Sequence, residues 1–216
     1  MGTDVVARGS WRVYEDKRLP RPLAAALSTF VEHGYHGTSI RDIASRAGLS
    51  VPGLYHYYPS KQALLVGLTN AVMSELLEHS RQAEAEVGPA PQERFAAVVE
   101  SLLLFHMHRR DQSFVAATEI RSMEPESRGA YIAQRDEQQR MLDRIVLDGV
   151  QQGVFSAPYP EDASRAVASM CVALANWYRP DGSLSPNELV ARYLQIAQSM
   201  VGASAVPRRD CPRGAA

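Results

Sequence analysis

Apolar residues recur at steps of three and four through every long segment of this 216-residue chain. Nowhere do successive segments alternate with the period of two that strands require. That periodicity restricts the chain to an all-α fold of about nine helices. The first follows Pro20 and Pro22 and sets Leu23, Leu27, Phe30 and Val31 on one stripe before stopping at Gly34. Two short helices are expected at 39–47 and 51–57, then a long one from Ser60 carrying Leu64, Leu65, Leu68, Val72 and Leu76. After the break Gly88-Pro89-Ala90-Pro91, helices are expected at 92–109, at 112–123 and from Pro125 to near Gly153. Two more open at Pro160-Glu161-Asp162 and, with a capping box, at Ser185-Pro186-Asn187-Glu188.

The length suits a small domain joined to a larger one. The expected division is a disordered leader at 1–17, a small domain at 18–65, a larger one at 66–202 and a disordered tail at 203–216. With 45% hydrophobic and 22% charged residues, the chain is neither disordered nor membrane-embedded in composition. No apolar run approaches the roughly 18 residues of a membrane span, and residues 1–20 are too polar for a signal peptide, so a cytoplasmic location is expected. Cys171 lies in an apolar helical stretch and reads as core, while Cys211 lies in a Pro/Arg-rich tail, a poor layout for disulfides. His106 and His108, two apart on a helix, face different ways and cannot readily share an ion, so neither metal nor cofactor is expected. The net charge of -1 hides an asymmetry: residues 1–61 hold 8 Lys/Arg against 5 Asp/Glu. A polyanion would sit at that end, although an ordinary solvated surface shows the same balance.

Within residues 38–61 the pattern becomes specific. Ala44 is small where two short helices must cross, and Ile40 and Ile43 fill the face beneath it. Gly48 falls four residues later, where the chain reverses and needs a positive φ, and Leu54 lies six further on, directed back toward Ala44. This is the layout of a helix-turn-helix. Its second helix devotes Ser50, Val51, Pro52, Gly53, Tyr55, His56 and Tyr57 to positions its minimal core does not use. They suit the major groove, where the start of such a helix meets base edges while hydroxyls, imidazoles and helix N-termini take phosphates. Thr38 or Ser39 caps the first short helix, freeing its N–H groups for another phosphate, and Lys61 is a third anchor. A plainer reading, an aromatic knot closing a small core, suits Tyr58 before Pro59 better than it suits Tyr55, Tyr57 and Lys61.

The run Gly34-Tyr-His-Gly-Thr-Ser-Ile-Arg-Asp-Ile-Ala-Ser-Arg-Ala-Gly-Leu-Ser, followed by Gly53-Leu-Tyr-His-Tyr-Tyr-Pro-Ser-Lys, closely resembles the DNA-binding domain of the TetR/AcrR family of regulators. The resemblance covers about residues 19–65, with Tyr58 standing where that family usually has phenylalanine. It implies a homodimer built on the last two helices, a palindromic double-stranded operator, and release of DNA when a small effector binds the helical remainder. By position it assigns Thr38, Ser50, Val51, Pro52, Gly53, Tyr55, Tyr57 and Lys61 to DNA. The dimer interface is expected from Ala163, Val167, Met170, Leu174, Leu189, Tyr193 and Ile196.

The effector pocket is expected among Phe105, Phe114, Met123, Tyr131, Met141, Met170 and Trp177, an apolar set that serves equally well as plain core. Arg121, Arg135, Asn176 and Arg179 are candidates to orient a carboxylate or phosphate. The stretch from Trp177 to Leu189 looks like a connection found in family members linked to fatty-acid or steroid catabolism, which suggests an acyl-CoA-type effector. Activation instead of repression stays open, as does a minor-groove arm built on Arg8, Arg12, Lys17 and Arg18. Motifs for nucleophilic hydrolases, phosphate-binding loops, zinc proteases and dinucleotides are missing from the sequence, which argues against an enzyme. The remaining alternative is a helical interaction module that keeps its helix-turn-helix only as structure.

Overall fold

The computed structural model describes residues 10–14 and 19–203. Among them are nine α-helices and no strand: α1 (Arg21–Gly37), α2 (Ile40–Ala47), α3 (Val51–Tyr57), α4 (Lys61–Glu86), α5 (Pro91–His108), α6 (Arg110–Thr118), α7 (Pro125–Gln151), α8 (Pro160–Trp177) and α9 (Pro186–Met200). Short 3-10 turns occupy Ser10–Arg12 and Glu119–Ser122.

Helices α1, α2 and α3 form a small head on the first turns of α4, with Phe30, Ile43, Leu54, Leu64 and Leu65 almost wholly buried between them. The α1 run leaves helical geometry at Gly34, where φ is 67° and ψ 168°. The turn after α2 is closed by Gly48 in the left-handed region, φ 65° and ψ 36°, and its N–H reaches back to the Ser45 carbonyl. Both glycines stand where a Cβ is disfavoured by the backbone alone.

Helix α4 runs from the head into the body, where α5 is buried along almost its whole length and touches α4, α7, α8 and α9. Polar bridges fix its ends. Arg94 of α5 reaches Glu84 of α4 at 2.5 Å and Asp148 of α7 at 2.9 Å, and Arg109 reaches Glu75 at 2.9 Å. Helix α7 ends in the expected glycine cap, Gly153 at φ 70°.

The expected helix at 112–123 starts earlier and ends at Thr118, its last stretch tightened into the 3-10 turn. Extended Met123 and Glu124 before Pro125 explain the stop, since the residue preceding proline avoids the α region.

The leader expected to be disordered is corrected in part. Trp11 is fully buried, and its indole N–H donates to Glu86 at 2.5 Å. Arg12 pairs with Glu86 at 2.7 Å and with Glu100 at 2.9 Å. Tyr14 stacks on His108 with ring centres 4.5 Å apart. This clasp lies at the far end of α4 from the head, so Arg12 is no part of a minor-groove arm. Arg8, Lys17 and Arg18 lie outside the described residues, as do 204–216 of the expected tail.

Candidate functional site

The exposed surface of the head is built by α3. Ser50 caps it, accepting from the Gly53 N–H at 3.1 Å, and Pro52 stands in its first turn. Leu54 alone turns fully inward. Pro52, Tyr55, His56 and Tyr57 face outward, with Tyr55 45% and Tyr57 62% exposed, and Val51 and Gly53 are half-buried. Two tyrosines displayed on a seven-residue helix offer both ring faces and hydroxyls to a partner. Tyr58 packs inward, its ring 3.0 Å from where a Cβ on Gly67 would stand, so α4 passes close beneath it.

Ser39 caps α2 and shares a reciprocal box with Asp42, whose carboxylate takes the Ser39 N–H at 3.0 Å. Those bonds hold the Asp42 carboxyl below its usual pKa, which puts a negative charge at the helix start where a phosphate was expected. Arg41, exposed on the same first turn, supplies a cation that the sequence reading passed over.

Two of the residues expected at DNA make bonds inside the head. Thr38 is 3% exposed and its hydroxyl donates to the carbonyls of Gly34 at 2.8 Å and Thr29 at 3.2 Å. The Lys61 ammonium donates to the carbonyls of Tyr35 and Thr38, both at 2.7 Å, and lies 4.3 Å from the Tyr35 ring centre. It closes the end of α1 against the start of α4, and partial burial lowers its pKa.

The head is tied to the body at the turn after α6. Glu119 accepts from the Tyr35 backbone N–H at 3.2 Å and from the Ser122 hydroxyl at 2.9 Å. Gln62 of α4 donates to the Tyr35 hydroxyl at 2.9 Å and to the Ser122 carbonyl at 2.5 Å.

Behind that turn lies a cavity of about 170 Å³, lined by Val72, Met73, Leu76, Leu102, His106, Ser113, Ala116, Ala117, Tyr131, Arg135, Gln138, Gln139, Ala168 and Val172. Of the expected apolar pocket set only Tyr131 is there, joined by Arg135 from the candidates to orient an anion. Phe105 turns toward Tyr14 and His79 because it is one residue, about 100° of helix, away from His106. Met123 and Met141 are buried elsewhere in the core, and Phe114 and Met170 are half-buried outside the lining. Trp177 is 47% exposed against Tyr193, with ring centres 5.8 Å apart. Sequence missed His106 and Gln138, whose only signal was a polar side chain on an otherwise apolar helical stripe.

The expected dimer set also divides. Val167, Leu174 and Leu189 are buried within the protomer, where they seal α8 and α9 onto α5, and so are unavailable to a partner. Ala163, Met170 and Tyr193 are half-buried and Ile196 is 47% exposed. Together with Trp177 they leave an apolar face on the outside of α8 and α9.

A head that displays a helix-turn-helix, fastened by a shared helix to a larger helical body with its own cavity, defines a DNA-binding transcriptional regulator. Residues 23–68 match the family described as bacterial regulatory proteins, tetR family, and residues 88–201 match the tetracyclin repressor-like C-terminal domain. The chain belongs to the TetR family. It is 29% identical over 176 residues to the HTH-type transcriptional repressor KstR2 of Mycobacterium tuberculosis, covering 81% of this chain and 86% of that one. The TetR family regulator PfmR of Thermus thermophilus superposes with a TM-score of 0.75 at 32% identity, covering 82% of this chain and 96% of that one. AibR in complex with isovaleryl coenzyme A and operator DNA superposes with a TM-score of 0.76 at 21% identity, covering 85% and 97%, a likeness of fold. Among the described residues no helix is long and apolar enough to cross a membrane.

Proposed function

We propose that the chain is a repressor that binds a palindromic operator as a homodimer and is released by a small effector in the body cavity. The observation that carries this reading is the face of α3, which hides Leu54 and displays Pro52, Tyr55, His56 and Tyr57. Residues 18–65 then act as the reading head and 66–202 as the sensing and dimerising body, with the division falling inside α4. Ser39, Ser50, Val51, Pro52, Gly53, Tyr55, His56 and Tyr57 form the DNA-facing set, joined by Arg41, while Thr38 and Lys61 hold that set in place. The apolar face with Met170, Trp177, Tyr193 and Ile196 meets its copy in the partner. A dimer must match two half-sites in phase with the DNA, so a small change in head separation loses many contacts together. The protein works in the cytoplasm, beside the DNA, and no catalysis is assigned to it.

The effector is of the acyl-CoA type. Arg135 and Arg165, against the one acid Asp136, line an outer groove of about 590 Å³ that adjoins the cavity, a cationic balance suiting an anionic carrier, and AibR pairs this fold with an acyl coenzyme A. Selection from a random DNA pool tests the reading. Recovery of one palindrome whose binding weakens steeply with salt is expected. No enrichment at low salt would leave α3 as structure and bring the interaction-module reading forward.

A further inference from the structure

Beside Tyr131, Arg135 and Gln139, the largely apolar cavity wall holds three buried polar side chains from three different helices: His106 of α5, Ser113 of α6 and Gln138 of α7. They are 5%, 3% and 7% exposed. Neither ring nitrogen of His106, nor the Ser113 hydroxyl, nor either end of the Gln138 amide has a hydrogen-bond partner among the described residues. Buried polar groups nearly always find partners, because leaving one unpaired forfeits its hydration without return. One such group is a local accident of packing. Three in a single wall, supplied by separate elements, form a recognition surface lacking its counterpart.

The chemistry of that counterpart follows from the donors and acceptors. Burial pushes the His106 imidazole down to about 4, so at neutral pH it offers one N–H and one lone pair. Ser113 and Gln138 are neutral as well. A buried carboxylate would meet no cation there. The guanidinium of Arg135 is exposed at the outer side of the lining, and with Arg165 it borders the adjoining groove. In size, about 170 Å³ compares with the roughly 150 Å³ cavity that accepts a benzene ring, so one ring or a chain of about six carbons fills it.

We propose that the cavity binds an acyl group whose buried end carries a neutral oxygen, a ketone or a hydroxyl, held by His106, Ser113 and Gln138, with its anionic remainder in the groove toward Arg135 and Arg165. This deepens the acyl-CoA reading and rests on it for the location of the effector.

Calorimetric titration with matched pairs tests it: 4-oxocyclohexylacetyl-CoA against cyclohexylacetyl-CoA, and the methyl esters of the same two acids. With the wild-type protein the oxo thioester should bind about tenfold tighter than its hydrocarbon twin, and in Gln138→Met and His106→Leu the preference should vanish. Equal or tighter binding of the hydrocarbon twin overturns the proposal and leaves the coenzyme A reading standing. Oxo preference in the esters, with no gain from coenzyme A, supports the proposal and removes the thioester reading. Binding of no probe overturns it. The ligand-free variants add an independent readout. Removing an unpaired buried amide should raise the melting temperature of Gln138→Met, whereas a fall in both variants shows that these groups serve the fold through bound water and overturns the proposal.

Discussion

His106 carries a pH signature of its own. An unfolded chain protonates histidine near pH 6.5, whereas burial holds this ring neutral down to about 4. The folded-state pKa is depressed, so its stabilising contribution is present above pH 6.5 and is lost as the pH falls toward 4, by about 1.4 kcal/mol per unit. Denaturant unfolding of wild type and His106→Leu at pH 7 and pH 5 should show the wild type losing ~2 kcal/mol more over that interval, with equal losses refuting the burial account. At the reading surface, Tyr55→Ala should cost about tenfold or more in operator affinity with an unchanged melting temperature, since its ring is 45% exposed and packs on little. Lys61→Met should do the reverse. Its two carbonyl bonds hold α1 to α4, and their loss should lower stability by about 1–2 kcal/mol in thermal unfolding. Sequence marked Tyr55 and Tyr57 because a short helix needs only one inward residue, and Leu54 was already that residue. It did not foresee the internal bonds of Lys61 and Thr38, because a cation or hydroxyl beside a DNA-binding helix reads as a phosphate contact, and the two carbonyls within reach of Lys61 come together only in the fold.

At the scale of elements, the head was the most legible part of the chain. Ala44, Gly48 and Leu54 constrain two helices and the turn between them with backbone chemistry alone, and the left-handed Gly48 appears where a reversal demanded it. Gly48→Ala should destabilise by about 1–2 kcal/mol through that conformation, measurable by chemical unfolding. The body was legible as helices and opaque as a site. Periodicity separates inward from outward faces, but a helix that is buried all round, as α5 nearly is, has no outward face from which to infer which inward residue meets a cavity and which meets a neighbour. The turn after α6 was equally hidden, since its role depends on a long-range bond from Glu119 to the Tyr35 N–H. Helix α6 contributes Ser113 and Ala116 to the cavity and leads directly into that bond, so it offers a short path from effector to head. Glu119→Ala should leave operator affinity within about threefold while blunting release by effector, read as a weakened shift of the DNA-binding curve. A full response in this variant would place the coupling elsewhere.

For the molecule as a whole, the decisive surface is the apolar outer face of α8 and α9. Ile196→Glu should place a charge in that face, yield monomers by light scattering, and lose most operator affinity while keeping the helical spectrum, because one head alone reads half a site. The sequence pattern drew that face together with Val167, Leu174 and Leu189, which the fold buries against the core, because periodicity marks a helix position as apolar without saying whether a core or an outer surface takes it. The chain holds two tryptophans, and the fold sends them to opposite circumstances: Trp11 is sealed in the clasp on α4, and Trp177 is half open on the outer face of α8 and α9 proposed to meet the partner. They therefore make an optical pair that needs no label. Diluting the dimer should shift only the redder emission of Trp177, unlatching the clasp should redden Trp11, and a single spectrum can thereby distinguish subunits parting from a chain coming undone.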